Sequence, residues 1–182
     1  MLPANIVTKG ECNVTFPVQG HEDGMGYLST ACTASEKGLI LIQEWWGHNV
    51  NMCKVCDEFG EKGFLTMAPD IYRGKCASDR EEAGHLMQGL DFKGAVADII
   101  ACALFLKSKG CKKVGIAGFC MGGALTIASI CNSTEFDAAG VFYGIPDLNT
   151  VSLSNIKCPV SLNFGLEDPM KGFSDADSAK DL

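Results

Sequence analysis

Cys120 stands in the run Gly118-Phe119-Cys120-Met121-Gly122-Gly123, which has the pattern glycine, any residue, nucleophile, any residue, glycine. Glycines on both sides allow the chain to turn sharply, because no Cβ crowds the backbone there. A thiol at the apex of such a turn is a candidate nucleophile. A free thiol of pKa ~8.5 is only a few per cent thiolate at neutral pH, so it needs activation. Glu44 follows an apolar run, where it is a candidate acid or base at a strand end or simply a cap for the next helix. The other reactive types are sparse. There are three histidines, of which His48 lies just after Glu44, His85 in a polar helix pattern and His21 in a polar turn; a surface or capping role is expected for His48 and His85 and a solvent role for His21. Cys53-Lys54-Val55-Cys56 has CxxC spacing, but it stands within an amphipathic helix pattern with no second pair, which argues against zinc or dithiol chemistry.

The elements that must position these residues alternate in type. The β-branched Val114–Ala117 run predicts a strand before Cys120, and Ala124–Ile130 predicts a helix after it. Such a helix start points free N–H groups at the sulfur or at a bound oxyanion. Further strands are predicted over Gly38–Gln43, Phe64–Ala68, Ala138–Tyr143 and Pro159–Phe164, with Pro69 ending the second of these. Val14 and the Gly24–Thr33 region read as short N-terminal strands. Asn49 can cap a helix over Val50–Lys62, in which Met52, Val55, Cys56 and Phe59 form one apolar stripe and Gly63 ends the helix. Helical patterns over Arg80–Leu90 and Phe92–Lys109 follow a polar loop. The alternation predicts an α/β fold with a mostly parallel sheet and helices on both faces. In such sheets functional groups gather beyond the carboxyl ends of the strands. Glu44-Trp45-Trp46-Gly47, Pro69-Asp70-Ile71-Tyr72-Arg73, Cys120, Tyr143-Gly144 and Gly165–Asp168 all fall there.

Composition bounds the reading. A 182-residue chain that is 47% hydrophobic supports one domain spanning 1–182, with an acidic tail over 169–182 whose order is doubtful. A net charge of −7 without a basic block argues against a nucleic-acid partner, and no apolar run reaches membrane-spanning length. The N-terminus has no signal-peptide pattern, and the ten cysteines sit largely in apolar runs, so a cytoplasmic protein with reduced thiols is expected. Cys12, Cys32, Cys102, Cys111, Cys131 and Cys158 read as small hydrophobes.

Together these motifs resemble the dienelactone hydrolase (carboxymethylenebutenolidase-like) family of the α/β-hydrolase superfamily. The landmarks are Gln43-Glu44 with Gly47 and Asn49, Ala68-Pro69-Asp70-Ile71-Tyr72, Arg80-Glu81-Glu82-Ala83, the Cys120 turn, Tyr143-Gly144 and Gly165-x-x-Asp168. The resemblance implies an α/β-hydrolase fold and hydrolysis of a small, anionic ester or lactone, with no metal or organic cofactor. It implies Cys120 as nucleophile, Asp168 as the acid of a Cys-His-Asp triad and Glu44 as the group that restrains the thiol and takes its proton. It implies an oxyanion hole from the N–H groups of Met121 and Trp45, and Arg80 as the partner of a substrate carboxylate, with Trp46 and Tyr143 lining the pocket. Gly84 stands where the family has a tyrosine after that arginine, which departs from the dienelactone pattern. The family histidine lies beyond the aspartate, whereas this sequence has no histidine after His85, and the resemblance implies that the last strand and helix of the fold are missing. The competing expectation is therefore a non-catalytic or regulatory form that binds ligands or reacts through its thiol. An exposed sheet edge would favour self-association.

Overall fold

The computed structural model describes residues 7–182. Seven strands form one sheet: β1 Val14–Phe16, β2 Gly24–Leu28, β3 Lys37–Ile42, β4 Leu65–Pro69, β5 Lys113–Phe119, β6 Ala138–Phe142 and β7 Val160–Asn163, in the order β1-β2-β4-β3-β5-β6-β7. β4, β3, β5, β6 and β7 are parallel neighbours, and β1 and β2 add an antiparallel edge. The fold is the mostly parallel α/β arrangement that the alternation of patterns predicts.

β3 occupies the middle because nearly every residue in it is apolar, and its alternate side chains serve opposite faces. Ile40 and Ile42 cluster with Ile99, Cys102 and Leu106 of α3 (Phe92–Ser108) and Leu125 of α4 (Met121–Asn132). Leu41 faces the other way and packs with Met52 and Cys56 of α1 (Val50–Glu61). The predicted stripe on α1 is the face that packs, with Val55 and Phe59 partly buried beside it. Asn49 caps α1 by accepting from the N–H groups of Asn51 and Met52 at 3.0 and 3.2 Å. Gly63 follows with φ +86°, a conformation that ends the helix cheaply only at glycine. α2 (Arg80–Gln88) is shorter than its pattern, closing at Gly89.

Two local expectations are corrected. Pro69 does not end β4 one residue early: it still pairs with Gly26 of β2, while the ladder to β3 has already stopped at Ile40–Met67. The thiols are not uniformly buried. Cys102, Cys111 and Cys131 are, but Cys12, Cys32 and Cys158 lie in loops and are partly exposed. Residues 169–182 form turns and a short 3₁₀ segment around Asp175, which accepts from the N–H groups of Gly172 and Ser178 at 2.8 and 3.0 Å. The N–H of Ile145 ties this region to the sheet by donating to the Phe173 carbonyl at 2.8 Å.

Candidate active site

The β5–α4 turn positions Cys120. Its backbone has φ +56° and ψ −121°, a left-handed strained geometry that a non-glycine residue adopts at a cost of about 1–3 kcal/mol. The surroundings hold it there. The Cys120 N–H donates to the Phe142 carbonyl at 3.0 Å, and its own carbonyl accepts from Gly123 and Ala124 at 2.9 and 3.3 Å. The glycines are steric necessities: a Cβ on Gly122 would meet the Ile42 and Gln43 carbonyl oxygens at 2.6 Å, and one on Gly123 the Phe142 oxygen at 2.6 Å. A Cβ on Gly118 or Gly144 would run into the backbone of Gly122 or Cys120 respectively.

The other strands deliver their residues to the same sheet edge. Glu44, Trp46, Arg80, Phe119 and Tyr143 line one cleft of about 920 Å³; half-buried Cys120 directly follows Phe119 in the chain. Tyr143, itself at φ +40°, donates its hydroxyl to Glu44 Oε1 at 2.9 Å. Arg80 is the exposed first residue of α2, whose N-cap Asp79 accepts from the Glu82 N–H at 2.9 Å. Among the described residues no carboxylate pairs with Arg80. Trp45 and Trp46 pack edge to face at 5.3 Å; Trp46 lines the cleft and Trp45 turns towards the core. Asp168 is half-buried beyond β7, and its Oδ1 accepts from the Met170 N–H at 3.0 Å.

Burial pushes the Cys120 thiol above its ordinary value, and the negative charges of Glu44 and Asp168 push in the same direction. The backbone N–H groups of Met121 and Trp45 oppose them by favouring the anion. Glu44, Asp168, Met121 and Trp45 thus each act on the Cys120 thiol. Burial and then the Glu44 charge hold the Tyr143 hydroxyl well above the usual phenol range, so it acts as a donor.

The histidines lie elsewhere. His48 is fully buried, not at the surface: its Nε2 lies 3.0 Å from the Glu11 carbonyl and 3.5 Å from Cys53 Sγ. The N-terminal segment covers it, through the bridge between Lys9 and Asn49. Burial lowers its pKa and keeps the ring neutral. His85 is exposed beside Glu81, and His21 borders a separate cavity. Among the described residues no imidazole reaches Cys120 or Asp168.

Sequence reasoning assigned no task to Tyr72. It is 7% exposed, and its hydroxyl lies 3.1 Å from the Trp45 carbonyl and 3.2 Å from Met121 Sδ. The signs of it were its place just after β4, at the edge where the other functional residues collect, and its membership of the Ala68–Tyr72 landmark.

A strained cysteine between strand and helix, on a mostly parallel sheet with helices on both faces, defines the α/β-hydrolase class. Solved structures share that fold: a dienelactone hydrolase described as putative from Klebsiella pneumoniae superposes with a TM-score of 0.74 at 22% identity, covering 92% of this chain and 75% of that one. A dienelactone hydrolase-like promiscuous phosphotriesterase from metagenomic libraries does so at 0.75 and 19% identity, covering 93% and 72%. The dienelactone hydrolase family model matches residues 25–182, and the chain belongs to that family. A putative carboxymethylenebutenolidase of Aquifex aeolicus is 36% identical over 145 residues, and the protein usf of Aquifex pyrophilus 34% over 149. Each match takes in 74% of this chain and 62% of the relative, so the chain spans about three-fifths of their length.

Proposed function

We propose that this chain cleaves a small, anionic ester or lactone through Cys120. In this reading the thiol sulfur attacks the carbonyl carbon, and Glu44 takes the thiol proton. The carbonyl oxygen gains negative charge and receives the N–H groups of Met121 and Trp45. The bond from the carbonyl carbon to the ester oxygen then breaks, Glu44 returns the proton to that oxygen, and an acyl thioester remains on Cys120, the alcohol departing from an ester or staying tethered in an opened lactone. Arg80, exposed at the cleft and without an acidic partner among the described residues, supplies the countercharge for a substrate carboxylate. Trp46 and Tyr143 form the walls, and the Tyr143 hydroxyl keeps Glu44 in place. The observation that carries the reading is the strained Cys120 with two backbone N–H groups favouring its anion and a carboxylate opposing it.

The second half of the reaction needs a base to activate water. In this reading Asp168 has the task of orienting an imidazole, yet none of the three histidines approaches it among the described residues. The acyl enzyme should therefore form faster than it is released, which also favours the second reading, a thiol-reactive binding protein. With p-nitrophenyl acetate the expected result is a rapid release of about one p-nitrophenolate per chain. An acetyl group should then be found on Cys120 by peptide mass spectrometry. An undiminished burst in Cys120→Ala would refute the nucleophile, and sustained Cys120-dependent turnover would refute the slow release.

No described helix is long and apolar enough to cross a membrane. Ten unpaired thiols fit residence in a reducing compartment, and a cytoplasmic location belongs to this proposal. So does self-association through β7, an outer strand with Leu162 at 42% exposure and Leu166 just beyond it at 91%. Light scattering on the eluting protein checks it: Leu162→Lys should shift the population towards monomer.

A further inference from the structure

We propose that Tyr72 is a positioning residue that locks the two halves of the oxyanion hole together; this rests on the reading of Cys120 as nucleophile. The two N–H donors come from different strands. Trp45 belongs to the loop after β3, and Met121 is the first residue of α4, just after β5. The ladder between these strands has its last pair at Ile42–Gly118, so both donors lie beyond the point where sheet hydrogen bonds fix them. Tyr72, delivered by the loop after β4, spans this gap. Its hydroxyl oxygen lies 3.1 Å from the Trp45 carbonyl oxygen and 3.2 Å from Met121 Sδ, so its one proton has an acceptor on either side of the gap.

The tyrosine is itself firmly held. Its N–H donates to Asp70 Oδ1 at 3.2 Å, and that carboxylate also accepts from the Gly74 N–H at 2.8 Å. Its ring supports the Glu44–Gly47 turn from below: a Cβ on Gly47 would meet Tyr72 Cδ2 at 3.2 Å, and Gly47 closes the turn by donating to the Glu44 carbonyl at 3.2 Å. Met121 is 2% exposed, so its sulfur is a fixed acceptor and not a mobile one. The Tyr72 hydroxyl makes no hydrogen bond to Cys120, although burial and then the Cys120 charge hold it protonated, so an effect on the thiol itself must be separated from an effect on the donors.

A donor displaced by a fraction of an ångström stabilises an oxyanion poorly, while it scarcely affects a reaction that forms none. Two reactions of Cys120 separate these cases. Acylation by p-nitrophenyl acetate passes through an oxyanion; alkylation by iodoacetamide does not. In Tyr72→Phe, acylation should slow about tenfold with the half-saturating ester concentration changed less than about twofold. Alkylation should stay within about threefold of the unaltered chain. Met121→Leu removes the other end of the link and should slow acylation less. The double variant should fall short of the product of the two single losses, because both cut one connection.

Acylation of Tyr72→Phe within about twofold of the unaltered chain would overturn the role. So would a parallel fall of acylation and alkylation, or full additivity with Met121→Leu. If the unaltered chain shows no Cys120-dependent acylation, the nucleophile reading fails and the role of Tyr72 fails with it. Normal acylation that ignores Tyr72 overturns the positioning role alone.

Discussion

Cys120 sits between opposed electrostatic influences. Burial, Glu44 and Asp168 favour the neutral thiol, while the Met121 and Trp45 N–H groups favour the thiolate. The balance lies above the ordinary thiol value, so a small fraction of the resting protein carries the reactive anion at neutral pH. Glu44→Gln removes one unit of negative charge and keeps the shape. The pH profile of iodoacetamide alkylation should then move to lower pH, with a several-fold faster reaction near pH 7. A profile that stays in place would mean that Glu44 does not restrain the thiol. Tyr143→Phe takes the hydroxyl from Glu44 and leaves the charge, so the profile should remain raised while acylation slows. Much of this site was legible from the sequence, because Cys120, Glu44, Arg80 and Tyr143 each stand at a recognisable strand end or helix start. The contacts that tune them were not. Tyr143 reaches a carboxylate 99 positions away, and Tyr72 reaches residues 27 and 49 positions away. Periodicity reports which face a residue takes, and says nothing about which distant atom its polar tip meets.

At the scale of elements, the strained turn depends on glycines at which backbone approaches backbone. Gly118→Ala places a methyl against the Gly122 carbonyl and within 2.6 Å of Thr126 Oγ1. Overpacking of this kind costs about 1–3 kcal/mol, and more where backbone must move. The melting temperature should fall by roughly 5–10 °C, with Cys120 alkylation altered as well. Asn49→Ala is a milder test on α1, where the lost cap costs about 1 kcal/mol and leaves the elbow untouched. Equal losses in stability from the two variants would show that the turn carries little steric tension. These elements were readable because their causes are local: an apolar run for β3, an asparagine before an apolar stripe for α1, glycines around a cysteine for the elbow. The burial of His48 was not, since it arises when the Lys9–Glu11 segment folds over the loop after β3, a meeting of residues about 40 positions apart. A polar ring followed by a capping asparagine looks like surface until that strap is known.

The whole molecule is expected to be sensitive to alkali because of its thiols. Nine of its ten cysteines have pKa values raised in the folded state, in every case with burial as the leading cause. Cys12 is raised to about 11, and Cys102, fully buried beside α3's own Asp98, lies well above the ordinary value. For a group whose folded pKa exceeds its unfolded one, stability is intact below the unfolded value and declines as pH climbs towards the folded value. Here the unfolded thiols lose protons near pH 9 while the folded ones keep them, so each added pH unit favours unfolding. Each thiol that ionises only on unfolding contributes a slope of about 1.4 kcal/mol per pH unit above its unfolded pKa. The melting temperature, followed under a reducing agent to prevent disulfides, should be nearly level from pH 7 to about 8.5 and fall steeply from there to about 10. Growing net negative charge would also lower it, so a thiol-specific control is needed. Cys56→Ala removes a fully buried thiol of α1 and leaves the other charges in place. The variant should be less stable at pH 7, because it leaves a small cavity, and its decline between pH 8.5 and 10 should be shallower by about one thiol's slope. An unchanged decline in Cys56→Ala would assign the alkaline loss to general charge repulsion instead of the buried thiols.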